Sequence, residues 1–341
     1  MRLICHESSL LTSKMKTFRL KPIYGSTPLK KTINPGEYFI FIFPNKKGFF
    51  IQRCYTLTSS EHGKYYDFII ENKGEESASS IIFRLLSEKK EIEVAGFGGN
   101  INFSRIQDVK NVLLLAGGIG ITLPIALIRE CFKAYGYSAP GKHVMLMLSC
   151  AEPAAIPYLN ELLDLYTRYD WFTIRINVTR VSLSKNSEVF TEGRINLRED
   201  YIPIIPENTI ICGSTHFAEF SVNEVKKRFP FSEISVEAFS SAQAPSDRVG
   251  TEGIGCTIKL QSKSLEITVD KAKTLLDNFI EQNIPIRHMC RSGICGSCKF
   301  RLNSGSVRSE KDFCLSAKDK AEKLYLACCS YPDENASIEI V

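Results

Sequence analysis

The sequence predicts a multidomain chain: an antiparallel β-barrel, an α/β parallel-sheet domain, then a small C-terminal α+β domain. Three observations carry this. At 341 residues the chain exceeds what one hydrophobic core normally covers. Short, turn-bounded strands over the first hundred residues give way near Asn111 to alternating buried strands and helices. Finally, the segment SSAQAPSDRVGTEG (240–253) is polar, small and nearly free of aromatics, as a linker is. The boundaries expected from these shifts are 1–104, 105–240, a linker at 241–252, and 253–341.

The barrel reading starts at Thr17, where Phe18 and Leu20 alternate with polar residues. Tyr38–Phe43 is a β-rich run after Pro35-Gly36, Tyr65–Ile70 follows a polar stretch, and Ser80–Leu86 permits a short helix. In the second domain, Val112–Ala116 and Val144–Leu148 are buried-type strands, and Pro124–Tyr135 and Ile156–Tyr169 read as helices. Phe172–Val178, Thr209–Cys212 and a helix over Phe217–Arg228 complete that alternation. Beyond the linker, Cys256–Leu260 and Leu265–Val269 form a hairpin pattern, and Ala272–Gln282 reads as a helix before a cysteine-rich loop.

Composition narrows the function classes. Hydrophobic residues at 44% and charged residues at 24% are ordinary globular values and argue against long disorder. No apolar run is long enough to span a bilayer, and polar residues interrupt the first sixteen positions where a signal peptide would need an apolar block. A cytoplasmic protein is expected. The net charge of +5 is too mild to imply nucleic acid. Twelve cysteines in such a chain suggest metal or redox chemistry rather than disulfides, and six of them lie beyond position 289.

Cys290-x4-Cys295-x2-Cys298, followed by Cys328 after an interval of 29 residues, has the spacing that lets four thiolates hold two bridged irons. A structural zinc site would want two separated C-x2–4-C knuckles, which this segment lacks. Cys328 and Cys329 are adjacent, so spacing alone leaves the fourth ligand open. CRSGICGSC (290–298) and LACCSYP (326–332) resemble the plant-type ferredoxins, small β-grasp domains. The resemblance implies a 2Fe–2S cluster, and it implies Cys328 as the fourth ligand, four residues before Pro332. Cys314 has no counterpart in that pattern.

Arg53-Cys54-Tyr55-Thr56-Leu57 resembles the R-x-Y-[ST] signature of ferredoxin–NAD(P) reductase-type flavin barrels. A cation for the flavin phosphate, a flat aromatic and a hydroxyl near the reactive nitrogen come in that order on one strand. The family's phosphate-binding G-x(n)-S segment corresponds to Gly74, Ser77 and Ser79, at a helix start that suits an anion. Gly spacing favours Ser77, and the apolar positions that follow favour Ser79. Gly117-Gly118-Ile119-Gly120-Ile121-Thr122 closes a strand and opens a helix, where glycine admits a pyrophosphate. It is similar to the family's GGxGxT, with Leu123 inserted before Pro124. Cys212-Gly213 resembles its C-G-P segment, with Ser214 in place of Pro; in relatives that cysteine lies beside the nicotinamide.

The order of flavin barrel, nucleotide domain and ferredoxin resembles the reductase components that serve oxygenases, desaturases and hybrid-cluster proteins. It implies an electron-transfer oxidoreductase passing electrons from NADH through flavin to the cluster and then to a protein acceptor. Thr56 and Cys212 would orient flavin and nicotinamide. FAD is favoured over FMN by the likeness of PGEYFIFIFP…RCYTLTSS to FAD-using members. NADH is favoured over NADPH because Ser149-Cys150-Ala151-Glu152 ends its strand without a cation for a 2′-phosphate. The alternatives are a redox-sensing regulatory protein with the same cofactors and an enzyme acting on a small molecule through its flavin. Residues 253–341 carry 13 Lys and Arg against 11 Asp and Glu. Lys299, Arg301, Arg308 and Lys311 after the cluster loop therefore suggest an acceptor with an acidic or mixed rim.

Overall fold

The computed structural model describes residues 1–24, 33–45, 48, 50–61, 63–74, 77–239, 255–261, 265–288, 293, 296–309, 315 and 317–341. It divides into two compact units, Met1–Phe239 and Ser240–Val341. The first unit begins with β1 (Arg2–Leu10), β2 (Met15–Pro22), β3 (Tyr38–Pro44), β4 (Phe50–Thr56), β5 (Ser59–Glu61) and β6 (Tyr65–Glu71). Helix α1 (Ala78–Ser87) and β7 (Ile92–Gly98) follow. These seven strands form one sheet in the order β4-β3-β7-β1-β2-β6-β5, and every described pair is antiparallel. Phe18, Phe39, Phe41 and Phe68 are fully enclosed in its core together with Ile82 and Leu86 of α1. Each such burial contributes roughly 1.5–3 kcal/mol.

The chain then runs through β8 (Asn111–Gly117), α2 (Thr122–Tyr135), β9 (His143–Cys150), α3 (Leu159–Arg168), β10 (Phe172–Val178) and β11 (Phe190–Glu192). It closes with β12 (Asn208–Ser214), α4 (Thr215–Arg228) and β13 (Glu233–Phe239). The sheet order is β11-β10-β9-β8-β12-β13, and its strands are parallel throughout. Helices between the strands make parallel pairing possible, and covering both faces explains why β8 and β9 are near-continuous apolar runs. Met15 of β2 and Ile69 of β6 belong to this domain's core cluster, so the end of the antiparallel sheet is anchored against the parallel one.

In the second unit, β14 (Cys256–Leu260), β15 (Leu265–Val269), α5 (Leu275–Glu281), β16 (Lys299–Ser304) and β17 (Val307–Ser309) come first. Next are α6 (Ala317–Ala321), β18 (Leu324–Leu326), β19 (Ser330–Pro332) and β20 (Ala336–Ile340). A mixed five-stranded sheet of order β15-β14-β20-β16-β18 packs on Leu275, Leu276 and Phe279 of α5.

Three elements differ from expectation. Strand β1 lies inside the first sheet, paired to β2 and β7, although the sequence reading began the barrel at Thr17. Only Leu3 and Cys5 of that strand are buried, so its alternation is too short to read. Helix α3 starts at Leu159 rather than Ile156, because Pro153 opens a 3-10 turn and Tyr158 takes φ 57°. Helix α5 starts at Leu275 because Thr274 caps it by accepting from the Asp277 N–H. The proposed linker, 241–252, lies outside the described residues.

Candidate functional site

The β4 signature ends against the last strand of the parallel sheet. Thr56, 5% exposed, donates from Oγ1 to Glu237 Oε1 at 2.7 Å across 181 residues of sequence. Glu237 on β13 pairs in register with Cys212 on β12. The three side chains converge at the C-terminal edge of the sheet, where α/β folds bind ligands. Burial pushes the Glu237 carboxyl up to about 7, with the Thr56 hydroxyl acting the other way. Burial pushes the Cys212 thiol well above its ordinary value, and the Glu237 carboxylate adds to the rise. Cys212 is thus held as a neutral thiol. Glu237 is missing from the residues expected at the site. Its signal was Glu237-Ala238-Phe239, which the sequence offers only as a domain ending.

Beside it, Tyr55 is bonded to Ser79, and burial pushes its phenol upward. That bond joins β4 to the first turn of α1. Ser77 is the N-cap, and its hydroxyl accepts from Ser80 N at 3.1 Å and donates to Gly74 O at 3.1 Å. Of the two candidate serines, Ser77 is therefore occupied with the helix end itself. Arg53 donates from Nη1 to Gln52 O at 2.8 Å, and Leu57 is fully buried under the strand end.

Gly117, Gly118 and Gly120 pass from β8 into a 3-10 turn, and Thr122 begins α2. Gly120 is required by close approach: a Cβ there would stand 2.2 Å from the Cys212 carbonyl oxygen. The loop thereby lies directly against Cys212-Gly213. Gly117 and Gly213 both lie under the Phe217 ring, which would meet a Cβ at 2.9 and 2.7 Å. At the end of β9, Thr179 N and Oγ1 both donate to Cys150 O at 2.9 Å, and Arg180 N donates to Ala151 O at 3.0 Å. The segment after β10 thus brings the Arg180 backbone to the end of β9 from thirty residues away, which a search along the strand's own sequence overlooks.

In the second unit, Cys298 and Cys328 are buried at 2% and 8% exposure. Cys328 Sγ accepts from Gly293 N at 3.3 Å, the kind of backbone donor a cluster sulfur takes. Gly293 and Gly296 have φ of 75° and 68°, which favour glycine. Cys329 Sγ lies 3.6 Å from Cys328 Sγ. Cys290, Cys295 and Cys314 lie outside the described residues. Two described buried thiols on neighbouring segments, joined by the bond from Ala327 N to Cys298 O at 2.9 Å, fit half of a four-thiolate cluster site. Of the cations beyond the loop, Lys299 pairs with Asp319 at 2.8 Å, and Arg301 with Glu339 at 3.4 Å and Glu322 at 3.6 Å. Arg308 covers the Tyr331 ring, and Lys311 lies outside the described residues.

Comparison with known proteins matches the chain domain by domain. Residues 258–333 match the 2Fe–2S iron–sulfur cluster binding domain, and residues 109–272 match the ferric reductase NAD binding domain. The chain is 26% identical over 336 residues to the glycine betaine monooxygenase reductase subunit of Pseudomonas aeruginosa, covering 92% of this chain and 88% of that one. It is 24% identical over 325 residues to the ferredoxin reductase component of the 3-ketosteroid-9-alpha-monooxygenase of Mycobacterium tuberculosis, covering 92% and 86%. Among solved structures, phthalate dioxygenase reductase superposes with a TM-score of 0.59 at 18% identity, over 100% of this chain and 98% of that one. An intact type IV self-sufficient cytochrome P450 monooxygenase superposes with a TM-score of 0.70 at 18% identity, over 99% of this chain and 40% of that one.

Proposed function

The chain belongs to the ferredoxin–NAD(P) reductase-type flavoproteins fused to a C-terminal plant-type 2Fe–2S domain, and from that premise we propose that it passes electrons from NADH through FAD and the cluster to a protein acceptor. Reductase components of monooxygenases among its relatives favour an oxygenase as that acceptor. The observation that carries the reading is the meeting of Thr56, Cys212 and Glu237, which brings the flavin signature onto the nucleotide edge of the parallel sheet.

Bound FAD supplies hydride acceptance and one-electron release, and a 2Fe–2S cluster supplies the one-electron relay. The protein's own groups bind and align. Arg53 and the N-terminus of α1 attract the flavin phosphates. Ser77, which caps the helix, and Ser79, which bonds Tyr55, are both candidates there, and Gly74 leaves the approach open. Tyr55, fixed by Ser79, would offer its ring to the flavin. Glu237 fixes Thr56 by accepting a hydrogen bond from its hydroxyl, so Thr56 would meet the flavin in one orientation. Gly117, Gly118 and Gly120 let the pyrophosphate meet backbone N–H groups beside Thr122, and Cys212 with Gly213 walls the nicotinamide. Hydride transfer rests mainly on such positioning, so no side chain needs to act as acid or base. Cys290, Cys295, Cys298 and Cys328 would hold the cluster.

Cys5, Cys131, Cys150, Cys212 and Cys256 are reduced thiols, which suits a cytoplasmic setting. No described helix is long and apolar enough to cross a membrane.

The test is steady NADH-dependent reduction of cytochrome c by the purified protein, with the extracted flavin identified by chromatography. FAD and sustained turnover are expected. Turnover that survives loss of the cluster, or FMN in the extract, would contradict the reading.

A further inference from the structure

A cavity of about 100 Å³ lies where the antiparallel sheet meets the nucleotide loop. Gly118, Leu148, Cys150 and Ala151 form its inner wall, while Met15 and Glu71 come from strands β2 and β6 of the other domain. Glu71 is the sole charged residue among those lining it. Its position is fixed from both sides. Met15 is its cross-strand partner, and Met15 and Ile69 are packed into the core of the nucleotide domain. The carboxylate is 23% exposed, with Lys73 as a loose partner at 3.6 Å.

The place of the cavity says what would enter it. The Gly118 turn lies on one side and the end of β9 on the other, so a dinucleotide whose pyrophosphate lies on that turn brings its adenosine ribose here. Resting on the functional reading above, we infer that Glu71 is a specificity-determining residue that selects NADH over NADPH. A carboxylate only accepts hydrogen bonds, and a ribose 2′-hydroxyl donates one. A 2′-phosphate in the same place would carry like charge against a carboxylate that is three-quarters buried, where solvent screens the repulsion less than at an open surface. The opposing influences are Lys73, 3.6 Å from the carboxylate, and Arg180, whose backbone N–H bonds Ala151 O two residues beyond β10. Selectivity is then a balance between the Glu71 carboxylate and these two cations. The strand end alone, Ser149–Glu152, would not reveal it.

The test compares kcat/KM for NADH and NADPH in the FAD-loaded full chain, wild type against Glu71→Gln. It also measures calorimetric binding of ADP-ribose and 2′-phospho-ADP-ribose, which cannot be oxidised. The wild type should favour NADH. Glu71→Gln should cut the NADH-to-NADPH ratio at least about ten-fold, through KM rather than kcat, the size expected for removing one repulsive contact. It should tighten 2′-phospho-ADP-ribose selectively, and Glu71→Asp should restore part of the discrimination. Both an unchanged ratio and a wild type that prefers the 2′-phosphorylated ligand overturn the inference. A wild type that binds neither ligand and is not reduced by NADH instead overturns the functional reading on which it rests.

Discussion

Glu237 carries a titration that can be followed without any substrate. Its carboxyl is raised from an ordinary 4.5 to about 7 because burial penalises the charged form. Between those values the folded protein holds a proton that the unfolded chain has lost, so folding stability falls as pH rises through that window. Full ionisation costs on the order of 3 kcal/mol. A Glu237→Gln variant should flatten the thermal-stability profile between about pH 4.5 and 7 and melt above the wild type at pH 8; parallel profiles would show that the carboxyl is not raised. At the other site the adjacent thiols are separable by substitution. Gly293 N–H donates to Cys328, so Cys328→Ser should abolish the visible absorption of the cluster while Cys329→Ser keeps it. The reverse result would move the fourth ligand by one residue.

Elements, more than single residues, decide which parts of the site can be read in advance. The β8–α2 loop was legible because three glycines fall within four residues, and Gly120 shows why they are needed. A methyl group there meets the Cys212 carbonyl at 2.2 Å, so either the loop or β12 must move. Gly120→Ala should cost roughly 1–3 kcal/mol as overpacking. It should lower Tm by about 2–4 °C per kcal/mol for a unit of this size and raise KM for the nucleotide; an unchanged melting curve would mean the loop has room. The strands Tyr38–Pro44, Tyr65–Glu71 and Phe172–Val178 were equally plain, since their apolar patterns have no rival period. What stayed hidden was set by distant partners. Strand β1 buries only two residues and owes its place to β2 and β7. Glu237 gains meaning only from Thr56, Arg180 only from Ala151, and Glu71 only from Gly118. None of these pairings has a local spacing that a sequence pattern could report.

At the scale of the whole molecule, electrostatics with an acceptor should be gentler than the charge count implies. Lys299 and Arg301 are already matched by Asp319, Glu322 and Glu339 within their own unit, and partly exposed pairs of this kind leave little net field. Chain order matters more. Strand β13 carries Glu237 to the nicotinamide edge and ends at Phe239, and the first unit ends with the same residue. The connection to the second unit therefore departs two residues beyond Glu237. Fifteen residues, 240–254, separate it from the described start of the second unit, and fully extended they reach at most about 50 Å. A covalent tether of that length makes the meeting of the two units intramolecular, at an effective concentration in the millimolar range. Transfer between them is then a first-order event, indifferent to how dilute the protein is, and encounters matter only where NADH arrives and where the acceptor takes the electrons.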